Sequence, residues 1–155
     1  MAGPGNPASL SIRPIEGADR AEWGRLWQGY LAFYKTELPE EIYDLAFERM
    51  LSEAQGEFRG FLALVDDRPV GLVHYLFHRH GWKREQVCYL QDLYADPEVR
   101  GMGVGAALIT AVYAAADEAG APSVYWMTQQ DNATARKLYD SIGVLTDFIK
   151  YQRPA

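Results

Sequence analysis

The spacing of apolar residues along the chain switches repeatedly between the periods of strand and helix. Leu10 to Ile15 alternates and predicts a first strand. From Ala18 to Lys35 the period lengthens: Trp23, Leu26, Trp27, Tyr30, Leu31 and Tyr34 recur at intervals of three and four, one stripe of a helix. Pro39 suits the first turn of a second helix, whose apolar positions are Ile42, Leu45, Ala46, Met50 and Leu51. Phe58 to Val65 and Val70 to Phe77 read as two strands joined by a turn over Asp66, Asp67, Arg68 and Pro69. Cys88 to Ala95 predicts another strand. A glycine-rich stretch, Arg100 to Gly105, then opens a helix that reaches about Ala119, where Gly120, Ala121 and Pro122 stop it. Val124 to Met127 is a short strand, and Asp131 or Asn132 caps a helix ending near Gly143. Leu145 to Tyr151 alternates again and is expected to close the sheet. The order β-α-α-β-β-β-α-β-α-β predicts an α/β fold with a mixed central sheet and flanking helices.

Composition narrows the functional classes. The 155 residues suit one domain, expected over 10–155 behind a flexible Gly/Pro/Ala lead-in at 1–9; no repeat or linker divides it. A net charge of −6 argues against nucleic-acid binding through a basic surface and suits a cationic substrate. The lone cysteine, Cys88, cannot form an internal disulfide. The N-terminus lacks the pattern of a signal peptide, and no apolar run is long enough to span a membrane, so a cytoplasmic location is expected and no membrane partner.

The most informative stretch is Asp96 to Ala106. Gly101, Gly103 and Gly105 allow backbone N–H groups to converge at a helix start and a ligand to approach closely, which makes a phosphate pocket; Arg100 adds a positive charge beside it. A dinucleotide fingerprint also matches formally through Gly101, Gly103 and Ala106. It should follow its strand almost directly, however, and here Pro97 and Arg100 intervene. No Gly-Lys-Ser/Thr follows, so a Walker loop is excluded. With Arg100, Gly103 and Gly105 so spaced, the segment resembles the pyrophosphate-binding signature of the GNAT acetyltransferases, and Tyr89 to Pro97 resembles the strand that precedes it there. The resemblance implies acetyl-CoA as cosubstrate. Backbone groups of Leu93, Tyr94 and Ala95 would lie along pantetheine, and N–H groups of Arg100, Gly101, Met102, Gly103, Val104, Gly105 and Ala106 would hold the pyrophosphate.

A second motif stands independently. Asn132, Ala135 and Tyr139 fall at i, i+3 and i+7 on one helical face, and Gly143 ends the helix. The pattern resembles the second GNAT motif, in which the asparagine and small residue meet the CoA arm and the tyrosine reaches the thioester sulfur. Amine attack on a thioester must expel a thiolate. A phenol with pKa near 10 stays protonated at neutral pH and can donate to that sulfur. Tyr139 is therefore the expected general acid.

The acceptor side is less defined. An alkylammonium has a pKa near 10.4, so only about one in 10³ is neutral at pH 7 and a base or water chain is expected. The nearest subgroup by resemblance comprises the polyamine acetyltransferases and the yeast histone-and-polyamine group. The polyamine enzymes commonly carry a Glu-Asp pair on this strand. Here the pair is Gln91-Asp92, and Gln91 cannot take a proton, which leaves Asp92 as base or ammonium-binding group, or as a structural residue of the sheet. His74, His78 and His80, on one face if the strand continues, are the other candidates for a base or substrate contact; a metal site is not expected, because on an extended strand His74 and His78 would stand about 13 Å apart and only His78 and His80 could share an ion. Tyr30, Tyr34, His78, Trp82, Gln91 and Asp92 are the expected substrate contacts, an aromatic and acidic lining suited to an ammonium group. The expected function is transfer of acetyl from acetyl-CoA to a primary amine, with a small molecule as acceptor. Acetylation of a protein lysine and a non-catalytic acyl-CoA-binding module are the alternatives. By resemblance the chain forms a homodimer.

Overall fold

The computed structural model describes residues 9–155, so most of the expected lead-in lies outside the described residues. One five-stranded sheet runs in spatial order β1-β2-β3-β4-β5, from β1 (Leu10–Pro14), β2 (Arg59–Val65), β3 (Arg68–His78) and β4 (Val87–Ala95) to β5 (Val124–Tyr125). The first four strands pair antiparallel; β4 and β5 are parallel. Four helices flank the sheet: α1 (Arg20–Phe33), α2 (Glu40–Ser52), α3 (Val104–Glu118) and α4 (Ala133–Ile142).

Local chemistry sets the boundaries. Helix α1 starts later than its apolar stripe suggests, because a 3-10 turn over Gly17–Asp19 precedes it. Asp19 is tied there by the Glu16 N–H and by a two-pronged pair with Arg13, at 2.7 and 2.9 Å. Pro39 lies just outside α2, at its N-cap. The β2–β3 turn is tighter than expected: Asp66 and Asp67 both take positive φ, and pairing resumes at Val65–Arg68.

The core has two layers. On one face of the sheet α3 packs Leu108, Ile109 and Val112 against Val70, Val73, Tyr75, Cys88 and Leu90. On the other, α1 and α2 bury Trp23, Leu26, Trp27, Tyr43, Phe47 and Met50 against Leu62, Leu64 and Leu72. Burying each of these large side chains stabilises the fold by about 1.5–3 kcal/mol.

The C-terminus corrects the sequence reading. Residues 145–151 form no strand; they run past α4 with Val144, Leu145, Phe148, Ile149 and Tyr151 exposed. Strand preference is a preference for a half-buried, hydrogen-bonded surface, and within one chain this segment meets no sheet edge. The strand over 124–127 is likewise shorter than expected, since only Val124 and Tyr125 are assigned to it.

Candidate active site

The site begins with a bulge. His74 pairs with Asp92 but Tyr75 pairs with Leu90, so Gln91 is the extra residue in β4. Strict alternation would put Leu90 and Asp92 on the same face. The bulge separates them: Leu90 packs on the α3 side, whereas Asp92 turns to the α1 side. Gln91 is left exposed.

On that face Asp92 is buried and held by a chain of polar groups. The Trp23 indole N–H donates to His74 Nε2 at 2.9 Å, and His74 Nδ1 lies 2.7 Å from Asp92 Oδ2. An indole nitrogen can only donate, so His74 Nε2 must accept and the ring proton sits on Nδ1, facing the carboxylate. Burial pushes the Asp92 carboxyl up. The hydrogen bond from His74 and the nearby Tyr30 hydroxyl and Trp27 indole outweigh burial and hold it below the usual carboxylate range. The Trp27 N–H is close enough to act on Asp92 yet has no hydrogen-bond partner among the described residues.

Around Asp92 stands a ring of phenols. Burial and the Asp92 charge raise the hydroxyl pKa of Tyr30, Tyr34 and Tyr89. Tyr30 and Tyr34 contact each other, with ring centroids 5.1 Å apart. From α4, Tyr139 approaches the same group: burial, with a smaller contribution from Tyr34, pushes its hydroxyl up to about 12. Its ring meets Trp126 edge-on at 5.5 Å, and its hydroxyl makes no hydrogen bond among the described residues. Thus α1, β4 and α4 bring Asp92, Tyr30, Tyr34 and Tyr139 to one place.

A slot leads away from this cluster. β5 pairs with β4 only at Cys88 and Tyr89, so from Leu90 to Ala95 the backbone of β4 has no strand on its β5 side. The N–H and C=O groups of Leu93 and Ala95 are thereby available to an extended ligand. Below lies the glycine loop, its entry braced where Arg25 bonds the Pro69 carbonyl at 2.9 Å and pairs with Asp96. The three glycines act differently. Gly101 and Gly103 take φ of +84° and +78°, and a Cβ at either would meet nothing within 4 Å, so they shape an open cradle. Gly105 is a packing residue: a Cβ there would come within 2.9 Å of Leu138 on α4. The N–H groups of Arg100 and Met102 turn inward to Pro97 and Val99. Those of Gly101, Gly103, Val104, Gly105 and Ala106 have no such partner among the described residues, and the last three open α3 with its positive dipole end. Arg100 is exposed and makes no ion pair among the described residues. An anion cradle below an open strand edge fits a phosphate-bearing, amide-containing arm such as that of acetyl-CoA.

The remaining expected residues have other neighbours. Asn132 caps α4, its Oδ1 accepting from the Ala135 N–H at 3.3 Å. His78 Nε2 meets the Tyr125 hydroxyl at 2.7 Å, while Trp82 is exposed on the β3–β4 loop beside His80. His80 lies beyond β3, so the three histidines share no strand face. Burial pushes the Cys88 thiol up to about 12, which leaves it protonated and unsuited to act as a nucleophile. The residue that sequence reasoning undervalued is His74: its pairing with Asp92 depends on the register of β3 against β4, including the bulge.

The profile of the acetyltransferase (GNAT) family matches residues 23–144. The D-amino-acid N-acetyltransferase HPA3 of Saccharomyces cerevisiae (strain ATCC 204508 / S288c) is 38% identical over 146 residues, covering 93% of this chain and 90% of the yeast protein. The crystal structure of a probable acetyltransferase superposes with a TM-score of 0.83 at 27% identity, covering 94% of this chain and 97% of that one. The aminoglycoside enzyme AAC(6')-Iy, in complex with a CoA-containing bisubstrate analogue, shares the fold with a TM-score of 0.82 at 19% identity, covering 95% and 99%.

Proposed function

The chain belongs to the acetyltransferase (GNAT) family and transfers acetyl from acetyl-CoA to an amine; from that premise we propose that its acceptor is a small primary amine gathered by Asp92, with an amino acid of the kind named for the yeast relative as the first candidate. The observation that carries this reading is the buried Asp92 carboxylate, turned by the Gln91 bulge into the phenol ring of Tyr30, Tyr34 and Tyr89. A buried anion with tyrosine side chains close by suits an ammonium group. A carboxylate held below its ordinary range is a firm electrostatic anchor and a weak proton acceptor, so Asp92 is assigned to binding and orienting the amine.

Bound acetyl-CoA supplies the activated acetyl thioester. The cradle at Gly101, Gly103 and the N-terminus of α3 would hold its pyrophosphate, and the open edge of β4 at Leu93 to Ala95 would align its arm. Tyr139, kept protonated by burial, would donate to the departing sulfur. Cys88, a protonated thiol in the core, supplies no covalent route, which supports direct attack by the amine. We read residues 10–155 as one catalytic domain. A single buried cysteine with no disulfide fits a reducing compartment such as the cytoplasm.

The test is CoA release over a panel of D- and L-amino acids, polyamines, aminoglycosides and a lysine peptide, with wild type and Asp92→Asn side by side. A small amine as best substrate, with its KM raised about tenfold or more by Asp92→Asn and the acetyl-CoA KM little changed, supports the assignment. A preference for the peptide would point to protein acetylation instead. Acetyl-CoA binding without turnover of any amine would point to a binding module.

A further inference from the structure

A histidine buried beside a carboxylate has two states open to it: a neutral ring donating one hydrogen bond, or an imidazolium paired with the anion. They differ in what they leave at the carboxylate. A neutral ring leaves a full negative charge; an imidazolium cancels it. At Asp92 the choice falls to a third residue. The Trp23 indole N–H points at His74 Nε2 from 2.9 Å, and both side chains are shut away from solvent. A proton on that nitrogen would set two N–H groups against each other, and an indole has no acceptor atom to answer it. Trp23 is also held in place: its ring stacks on Trp27 with centroids 5.2 Å apart and packs on Phe47 at 5.1 Å. The other neighbours of His74 supply no competing partner. Trp27 and Phe58 meet its ring at centroid distances of 6.0 and 5.1 Å and carry no charge, and Gly60, its partner on β2, has no side chain. From β4, Asp92 faces Nδ1 at 2.7 Å, and burial and the Asp92 charge push the nearby Tyr30 hydroxyl up, so it stays protonated. Arg20 lies over the Trp23 ring, 5.5 Å from its centroid, with its charge taken up by Glu40 and Asp44 of α2.

We propose that Trp23 is a positioning residue for the acetyl acceptor: its indole N–H locks His74 in the neutral form with the proton on Nδ1, so that the charge of Asp92 is kept whole for the substrate ammonium instead of being cancelled from within. The inference rests on the assignment of Asp92 as the ammonium anchor. The lock works because both of its bonds run one way. The indole donates, the carboxylate accepts, and the imidazole between them has one proton to give and one lone pair to offer. Trp23 acts on the acceptor only through His74 and Asp92. Without the indole N–H, Nε2 is free to take a second proton, and the resulting buried ion pair with Asp92 competes with the incoming ammonium.

Proton–nitrogen NMR of the histidine rings reads the lock with no substrate present, the His74 signals being identified by their loss in His74→Gln. The expected ring carries its one proton on Nδ1 at about pH 7, and still only that proton at about pH 6, where a free imidazole is mostly protonated. A proton on Nε2 instead, or an imidazolium at the lower pH, would overturn the proposal. Trp23→Phe keeps an aromatic ring in the core and removes the donor. It is expected to give an imidazolium at His74 near pH 6 and to raise the amine KM about tenfold there, with a much smaller rise at about pH 8.5 and the acetyl-CoA KM little changed at either. In the double variant, Trp23→Phe with His74→Gln, the side chain at 74 cannot ionise, and the pH-dependent part of the defect is expected to vanish. A KM raised equally at both pH values would mark Trp23 as a packing residue alone and reject the lock. An amine KM unmoved by Asp92→Asn would reject the anchor itself, and with it the use made of the lock, even with the NMR signature intact.

Discussion

Single side chains here have their roles set by what buries them. Tyr139 stays protonated far above neutral pH because its hydroxyl is desolvated, so its proton is in place at neutral pH although burial also makes it a weaker acid. Tyr139→Phe is expected to lower kcat about 10²–10⁴-fold with the acetyl-CoA KM little changed, measured by thiol release. With a donor near 12 and an amine that loses its proton near 10.4, kcat/KM for the amine should rise with pH to about 10 without a falling limb from Tyr139. A falling limb centred near pH 8 would count against it. Asp92 shows the opposite shift, below its unfolded value of about 3.9, so its contribution to stability is complete above that pH and is lost as pH falls through the folded value. Asp92→Asn should therefore cost about 1–3 kcal/mol at pH 7, and urea midpoints of variant and wild type should converge only as pH falls through that lowered folded value.

Whole elements show why similar residues do different work. Gly101 and Gly103 need glycine for their positive φ, and Gly105 for room against α4. Gly103→Ala forces a Cβ into the left-handed region, at about 1–2 kcal/mol. It is expected to raise the acetyl-CoA KM about tenfold while the amine KM holds, because the glycine loop and Asp92 lie at opposite ends of the open β4 edge. The glycine loop was legible in the sequence because a ligand cradle at a helix start is a local device, carried by adjacent residues. The β4 bulge was not, because an extra residue on one strand exists only relative to the register of its neighbour. His74 was singled out with the other histidines, but its partner could not be read without that register.

At the scale of the molecule, acetyl-CoA should act as a staple between β4, α3 and α4. CoA at about 100 times its Kd is expected to stabilise the fold by about 2.7 kcal/mol, a rise of about 5–11 °C in melting temperature by calorimetry for a domain of this size. No rise in Tm at saturating CoA would reject the cradle. The α/β order, the two motifs and the family membership they imply were determined by the sequence alone, because each rests on contacts between residues close together in the chain: helical stripes, a turn, a capped helix, a glycine-rich loop. Only the tertiary structure decided that Asp92 faces α1, that His74 holds it with Trp23 behind, and that Tyr34 lies close enough to Tyr139 for its charge to be felt there. It also decided that the alternating tail at 145–151 finds no place in its own sheet. Each of these depends on contacts between residues far apart in the chain, and a strand pattern states a need for a sheet edge without saying whether the fold supplies one.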